Sequence, residues 1–343
     1  MSKVFAVVTA FALLCLGGIA KAEDLVYHAH PIYSGYAFDI NNSGQVVGGD
    51  NSSAYLWDPT DGLTNVSMPS GSNGGMAWGL NDLGQVVGHA YGVAGSSNPK
   101  AFLWSSTSGA AVINDDMDRS IARDLHNDGI VVGEAGTLDG QTRATMWTAT
   151  TGWVDTGLSE ALSISNLGMI AGHSANVASL WSPQTGIFNI PIPDSSRSVA
   201  TEVNDQGQAV GMYVSTSGEE RAFYWSPSTG LSILPMLEGY NHSCANGINA
   251  AGQVVGILAD LQPDEPDVVE AFIWSALDGF TLLGSGYAQA INDAGVVAGY
   301  VTDQTGDSTA VVWDIRPVPE PSAVVTLVCG LGLLGGALWR KRG

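Results

Sequence analysis

The sequence predicts an all-β fold, a seven-bladed β-propeller of four-stranded antiparallel blades, and two observations carry the prediction. One motif occurs seven times: a hydrophobic residue, an Asn-rich turn ending in Gly, a short apolar strand closing on Gly, and later a four-residue run ending in Trp. The turn glycines lie 40, 45, 39, 39, 45 and 43 residues apart: Gly44, Gly84, Gly129, Gly168, Gly207, Gly252 and Gly295. Four strands of about 5–6 residues with short turns use about 40 residues, the size of one blade.

Each motif predicts a tight hairpin. Its turn Asn accepts a hydrogen bond from the backbone two residues on, and the glycine three positions later supplies a positive φ. The turn residues, in chain order, are Asn41, Asn81, His126, Ser165, Asn204, Asn249 and Asn292. A second hairpin follows, with runs such as AYLW and AFLW as one arm. These runs and the Val-Val-Gly strands are continuously apolar, which is typical of strands buried on both faces.

Seven copies allow the blades to close into a ring, in which each blade covers its neighbours. An open superhelical stack is the alternative, but it needs polar end caps, and we identify none in the sequence. The seventh copy ends at Ile315, shortly before Pro317, which leaves no room for its outermost strand. We therefore expect the strand-like residues 25–32, ahead of the first copy, to complete the seventh blade and latch the ring.

Seven tryptophans occupy one register beside Ala and Phe, which predicts packing between blades and not sugar stacking. They are Trp57, Trp104, Trp147, Trp181, Trp225, Trp274 and Trp313. Trp78 and Trp153 lie outside this register. These two are the candidates for an exposed aromatic contact, although ordinary packing is the favoured interpretation.

The chain begins with the layout of a cleavable secretory signal peptide. Lys3 precedes an apolar run over residues 4–20, and Ala20-Lys21-Ala22 follows directly before Glu23. We therefore divide the chain into a signal peptide (1–22), the propeller (23–316) and a C-terminal segment (317–343). The propeller retains one cysteine, Cys244, so an intrachain disulfide is excluded there. It keeps seven basic residues against 32 acidic ones, a formal charge of −25 that makes nucleic acid and anionic lipid poor partners.

The C-terminal segment combines three features: Pro319-Glu320-Pro321, an apolar stretch over residues 323–339, and the basic tip Arg340-Lys341-Arg342. Its seventeen apolar residues are at the short limit of the about 17–25 that span a bilayer as a helix. The basic tip would stay in the cytoplasm and place the propeller outside.

This segment closely resembles the PEP-CTERM sorting signal. The resemblance implies cleavage by an exosortase, a membrane-embedded cysteine transpeptidase, at or near Pro319-Glu320-Pro321 in a Gram-negative bacterium that makes exopolysaccharide. A membrane anchor that is never cut is the alternative. Both place the propeller outside the cytoplasm, and the expected location is the cell envelope, the cell surface or the extracellular matrix.

The repeat itself, Ile-Asn-x-x-Gly-x-Val-x-Gly followed by Ala-Phe-x-Trp, resembles the HAF-type probable extracellular repeat over roughly residues 35–314. Where that family shows His-Ala-Phe, this chain has triplets such as Lys100-Ala101-Phe102 and Arg221-Ala222-Phe223, without the histidine. The resemblance implies a secreted protein and brings no established activity.

No motif predicts catalysis. The sequence has neither a Gly-x-Ser-x-Gly elbow nor a Cys/His signature, so we assign no catalytic residue. His28 and His30 share one side of a strand and form a candidate zinc pair, for which the sequence places no third ligand. His89 and His173 follow closing glycines and are interpreted as ordinary strand positions.

Three acidic clusters are candidates for calcium, because calcium takes carboxylate oxygens. They are Asp115-Asp116-Met117-Asp118, Asp264-Glu265-Pro266-Asp267, and the loop from Asp303 to Asp307. None has the spacing of a known calcium loop, so solvated loops are the favoured interpretation and no cofactor is assigned.

The sequence thus indicates an exported, noncatalytic binding or structural propeller. Its expected partners are exosortase, extracellular polysaccharide or other surface proteins, and the membrane through the C-terminal helix before processing. A polysaccharide-active enzyme with carboxylates and histidines at the end of the ring axis is the alternative, because propellers host both classes.

Overall fold

The computed structural model describes residues 27–50, 52–113, 117–136, 141–262 and 267–315. The predicted signal peptide, sorting motif, apolar helix and basic tip lie outside these residues. Within the described ranges, no helix is long and apolar enough to cross a membrane.

The described strands form seven four-stranded antiparallel sheets, which confirms the predicted blades. Blade 1 contains β2 Tyr36–Ile40, β3 Val46–Gly49, β4 Ala54–Asp58 and β5 Gly62–Val66. Blade 2 contains β6 Gly74–Leu80, β7 Val86–Tyr91, β8 Lys100–Ser105 and β9 Gly109–Val112. Blade 3 contains β10 Ser120–Leu125, β11 Val131–Gly136, β12 Thr142–Thr148 and β13 Gly152–Asp155. Blades 4 and 5 contain β14 Glu160–Ile164, β15 Ile170–Ser174, β16 Val177–Ser182 and β17 Gly186–Asn189; and β18 Ser195–Val203, β19 Ala209–Ser215, β20 Glu220–Ser226 and β21 Gly230–Ile233. Blades 6 and 7 contain β22 His242–Ile248, β23 Val254–Asp260, β24 Val268–Ser275 and β25 Gly279–Ser285; and β26 Tyr287–Ile291, β27 Val297–Thr302, β28 Ser308–Ile315 and the N-terminal strand β1 Tyr27–Ser34. A short 3-10 turn, Val93–Gly95, lies between β7 and β8.

The N-terminal strand latches the ring as predicted. β1 pairs antiparallel with β28, and Tyr27 lies opposite Ile315. The strand ends at Ser34, two residues beyond the end of the predicted 25–32, and residues 25 and 26 lie outside the described residues. Blade 7 also meets blade 1 directly, because the Asn292 side-chain amide donates to the Asn41 carbonyl at 3.1 Å. The sheets therefore close into a ring, and the open stack is excluded.

The turn asparagines do more than cap their own hairpins. The Asn41 Oδ1 accepts the N–H groups of Ser43 and Gln45 at 3.1 and 2.9 Å, and Gly44 has φ +80°, as the turn chemistry predicts. The Asn41 Nδ2 then donates to the carbonyl of Asn81 in blade 2 at 3.0 Å. The same link to the next blade is made by Asn81, Asn204, Asn249 and Asn292. Each such asparagine therefore joins two blades.

Copies three and four replace the asparagine in different ways. The His126 Nδ1 accepts the Asp128 N–H at 2.8 Å, and its Nε2 lies 2.8 Å from the Asn166 carbonyl. A neutral ring protonated on Nε2 thus supplies one cap bond and one link to blade 4. The Ser165 hydroxyl accepts the N–H groups of Leu167 and Met169 at 3.3 Å, and among the described residues it makes no hydrogen bond to blade 5. The side-chain circle is therefore interrupted at Ser165.

The tryptophans of the repeat pack between blades, as expected. Trp104, Trp274 and Trp313 are buried, and the other four are partly buried. Trp313 of blade 7 belongs to an apolar cluster with Val255 and Ile273 of blade 6. Each blade is therefore covered by its neighbour, which explains the continuously apolar strands.

All seven innermost strands carry a β-bulge at the same place. In blade 1 the register shifts between Ala37 and Asp39, so Phe38 has no partner on β3. Equivalent shifts pass over Trp78, Arg123, Leu162, Thr201, Asn246 and Gln289. The closing glycine faces this bulge: a Cβ on Gly48 would lie 1.9 Å from the Tyr36 carbonyl oxygen. The Val-Val-Gly motif therefore needs its glycine because the two backbones approach too closely for any side chain.

Candidate functional site: the axial cavity

The ring encloses a cavity of about 360 Å³ on its axis. It is lined by the seven innermost strands, β2, β6, β10, β14, β18, β22 and β26, and by the turns that follow them. A bulge re-aims side chains, and here the bulged residue and its successor both line the cavity, as at Phe38-Asp39, Arg123-Asp124 and Thr201-Glu202. The backbone of the repeat thus supplies a fixed frame, and the two variable positions of each blade decide its chemistry.

Two aspartates of the cavity bridge neighbouring blades. The Asp39 carboxylate accepts the N–H of Ile40 in its own strand at 2.8 Å and that of Leu80 in blade 2 at 2.9 Å. Asp124 repeats the arrangement one blade on, with Leu125 at 2.7 Å and Ile164 of blade 4 at 2.8 Å. Each carboxyl group therefore uses both oxygens to join two blades.

Blades 4 and 5 place other side chains in the same role. The Ser163 hydroxyl accepts the Val203 N–H of blade 5 at 3.4 Å. Glu202 accepts a hydrogen bond from the Ile248 N–H of blade 6. The cavity thus contains a series of side-chain acceptors that continue the link from blade to blade.

Loss of hydration raises the pKa of all three acids. It raises the pKa of Asp39 to about 6, although the N–H groups of Leu80 and Ile40 act in the opposite direction. Desolvation and the charge of Asp39 raise the pKa of Asp124 to about 7. Desolvation, followed by the charges of Asp39 and Asp124, raises the pKa of Glu202 well above its usual value. The three groups repel one another across the axis, so they do not all ionise at neutral pH.

Beside Asp39 and Asp124, a group of aromatic side chains and one arginine lines the cavity in blades 1 to 3. The rings of Phe38 and Trp78 lie 4.5 Å apart between centroids, and the Arg123 guanidinium lies 5.1 Å from the Trp78 ring centre. The Trp78 indole N–H donates to the His89 Nδ1 at 2.9 Å. Burial, followed by the charges of Arg123 and Arg119, lowers the pKa of His89 to about 4, so this histidine accepts as a neutral ring.

The arginine of this wall shares one carboxylate with a second arginine. The Arg123 Nη2 lies 3.0 Å from one oxygen of Glu134, and the Arg119 Nη1 lies 3.3 Å from the other. Further aromatic contacts extend the wall into blade 7: Tyr36 stacks on Phe38 at 5.9 Å and meets Tyr300 edge-on at 4.9 Å.

The structure places the candidate metal ligands of the sequence apart from this cavity. His30 lies on β1 with its Nε2 2.9 Å from the Asp314 carboxylate, and His28 is exposed. In the part of the chain that the structure describes, no three His, Cys, Asp or Glu side chains gather as metal ligands. Residues 115, 116 and 264–266 of the acidic clusters lie outside that part. The Asp303 carboxylate accepts the N–H groups of Thr305 and Asp307, which closes its own loop.

The two tryptophans outside the repeat register have different environments. Trp78 lines the cavity, whereas Trp153 packs against the cluster shared by blades 2 and 3, which includes Val87 and Leu125. The sequence argument did not find Asp39, Asp124 or Glu202. The available signal was positional: each stands directly before the hydrophobic residue that opens the turn motif.

The fold and this cavity define the chain as a closed seven-bladed β-propeller with a mixed aromatic and acidic axis. No family model matches the chain, and no curated protein matches it significantly. Among solved structures it is similar to one of a streptogramin B lyase, with TM-score 0.50, 10% identity, and coverage of 84% of this chain and 98% of that one. A chain in the mitotic checkpoint complex gives TM-score 0.51, 13% identity, and coverage of 92% and 100%. These likenesses show the fold alone.

Proposed function

We propose that this protein is an exported, noncatalytic propeller of the cell surface or exopolysaccharide matrix that binds an extracellular polysaccharide or another surface protein at its axial cavity. The observation that carries the proposal is the use of the cavity acids. Asp39 and Asp124 each spend both carboxyl oxygens on backbone N–H groups of two blades. An acid or base that moves a proton during turnover would have to loosen these links.

Export is supported by the two chain ends, both outside the described residues. The apolar N-terminus and the motif Pro319-Glu320-Pro321 with its apolar and basic continuation are the features that suggest secretion and exosortase processing. Expression in a Gram-negative host with and without an exosortase, followed by intact-mass analysis, tests this. We expect a shortened C-terminus near Pro319 to Pro321 only when the exosortase is present. An identical, uncut mass in both hosts would contradict processing and leave a membrane anchor.

A second candidate, a polysaccharide-active enzyme, is favoured by one observation. General acids in such enzymes need carboxyl groups with raised pKa values, and Asp39 and Asp124 have pKa values of about 6 and 7. Among the described residues that line the cavity there is no histidine or lysine that could act as a second acid or base. Because the same acids hold the blades together, the binding function is the better supported of the two.

A glycan array separates the two functions when it is combined with reducing-sugar and unsaturated-product assays on every polymer that binds. The binding proposal expects retention of a polymer or of a surface protein without any new chain ends. Turnover that is abolished by Asp124→Asn would establish the enzyme instead.

A further inference from the structure

The axial cavity has two unlike walls. Phe38, Trp78 and Arg123 of blades 1 to 3 form the aromatic wall. Thr201, Asn246 and Gln289, which occupy the same bulge position in blades 5 to 7, form the polar wall. A ligand enclosed here meets flat carbon surfaces on one side and hydrogen-bonding groups on the other.

The aromatic wall is rigid. The Trp78 and Phe38 ring centroids are 4.5 Å apart, the Arg123 guanidinium lies 5.1 Å from the Trp78 ring centre, and the only polar atom of Trp78 is bonded to His89. The wall therefore requires no hydrogen bond from a ligand at its tryptophan. Because the rings are already fixed, a ligand that packs against them loses little of its binding free energy to ordering of the protein.

The polar wall contains one uncommitted group. The Thr201 hydroxyl lies 2.7 Å from the Ala245 carbonyl, and the Asn246 Nδ2 donates to the Ala288 carbonyl at 2.8 Å. Gln289, in contrast, makes no side-chain hydrogen bond to the described residues, although it is partly buried at the cavity wall. Its amide offers two donors and an acceptor.

Charge limits the kind of ligand that fits. Six acidic residues and one arginine, Arg123, line the cavity, and three of the acids, Asp39, Asp124 and Glu202, face its axis. An anionic group in the cavity would add to a repulsion that already raises the pKa values of these acids. The cavity therefore disfavours uronates and sulfated or phosphorylated sugars.

Size limits it further. Ligand pockets in proteins are typically about 300–1,000 Å³, so a cavity of about 360 Å³ holds a small ligand or a short piece of a longer one. A pyranose ring has a C–H face and a hydroxyl edge, which match the two walls. We infer that the axial cavity binds one or two units of an uncharged glycan, with a sugar face on Phe38 and Trp78 and a hydroxyl bonded to Gln289. This inference rests on the proposed binding function.

Isothermal titration of the full exported protein tests the inference. The probes are three uncharged pentasaccharides, made of β-linked glucose, α-linked glucose or N-acetylglucosamine, and one charged pentasaccharide, pentagalacturonate. We expect one-to-one binding of at least one uncharged pentamer, no measurable binding of the uronate, and nearly the same affinity for the matching trimer. Trp78→Leu should weaken binding about tenfold, the cost of losing a good aromatic contact. Gln289→Ala should weaken it about fivefold, as expected for one hydrogen bond.

Two matched controls keep the test specific. Trp153→Leu makes the same change in a tryptophan away from the cavity, and Gln206→Ala removes an exposed turn amide. Both should bind as the wild type does. Gln289→Ala also covers the case in which Trp78→Leu does not fold, because the Gln289 side chain makes no hydrogen bond to the residues that the structure describes.

The outcomes separate the inference from the function on which it rests. Equal binding of the uronate, or wild-type affinity in both cavity variants while an uncharged glycan still binds, would overturn the inference and leave the binding function standing. Failure of every oligomer to bind would overturn the inference, and failure of all polymers and surface proteins to be retained on the array would overturn the proposed function as well.

Discussion

Ser165→Asn should stabilise the propeller, because it restores the missing member of the turn circle. The Asn at this position in five copies caps its own turn and donates to the carbonyl of the next blade. Ser165 is buried and makes only the cap, at 3.3 Å. An asparagine there would reach the carbonyl of Asn204 in blade 5. In the other four copies the turn asparagine also contacts a glutamine four residues on, and Ser165 has Met169 there instead. Asn292 forms its link to the next blade with Val296 at that position, so the glutamine is not required.

The magnitude follows from one added hydrogen bond. A net intramolecular hydrogen bond contributes about 0.5–1.5 kcal/mol, and the caps of Asn41, at 3.1 and 2.9 Å, are shorter than those of Ser165. Ordering the longer side chain costs part of this gain. We therefore expect about 1 kcal/mol, which corresponds to about 2–4 °C in Tm for a domain of 150–250 residues and to the lower end of that range here.

Differential scanning calorimetry of the wild type and three variants, at one scan rate, tests the reasoning. Ser165→Asn should melt higher. Asn204→Ser, which removes the 2.9 Å link to Asn249, should melt lower by at least as much. His126→Asn should change little, because His126 already makes a cap bond and the link to blade 4. An unchanged or lower Tm for a well-folded Ser165→Asn, beside a lowered Asn204→Ser, would refute the account of the circle.

Three further predictions concern the latch, the cavity acids and the thiol. Deleting residues 24–32 removes most of β1 from β28 and should lower the Tm sharply; an unchanged melt would contradict the latch. The pKa values of Asp39 and Asp124, about 6 and 7, are raised above the usual value near 4, so their protonated forms favour the fold. Their contribution to stability is complete below about pH 4 and is lost as pH rises to about 7, so Tm should fall over that window, less steeply in Asp124→Asn; equal slopes would contradict this. Burial raises the pKa of Cys244 to about 12, so a thiol reagent at pH 8 should react at least ~100-fold faster with the unfolded chain; similar rates would contradict the buried thiol.

The architecture was predictable because the repeat encodes it at every level. Periodicity gave the blade count, and the turn chemistry of Asn41 and Gly44 gave the hairpins. The latch could be predicted because the seventh copy lacks its outermost strand and one strand, β1, precedes the first copy. Its end differs from the prediction, because sheet pairing with β28 continues as far as Ser34.

The axial chemistry was not predictable in the same way. A β-bulge depends on the register between two strands, and neither Phe38 nor Asp39 carries a local sign of it. The Val-Val-Gly glycine was a clue: in the structure it is required because a Cβ on Gly48 would collide with the Tyr36 carbonyl. That contact joins residues of different strands, so the strand pattern alone does not disclose it.

The role of His126 illustrates the same limit. The sequence indicated only that it occupies the Asn position of the turn, whereas its ring nitrogens make one cap bond and one bond to blade 4. Trp78 was singled out correctly as unusual, but its contact with Arg123 depends on the neighbouring blade. The interactions that sequence could not supply are those between blades, since they join residues about one repeat apart.

We propose that the axial cavity binds a ligand and does not catalyse a reaction. The most direct measurement is size-exclusion chromatography with light scattering on the polysaccharide that the protein retains most strongly, before and after prolonged incubation with the wild-type protein. The account predicts a stable complex and an unchanged polymer mass after dissociation. A progressive fall in polymer mass, absent with Asp124→Asn, would contradict it.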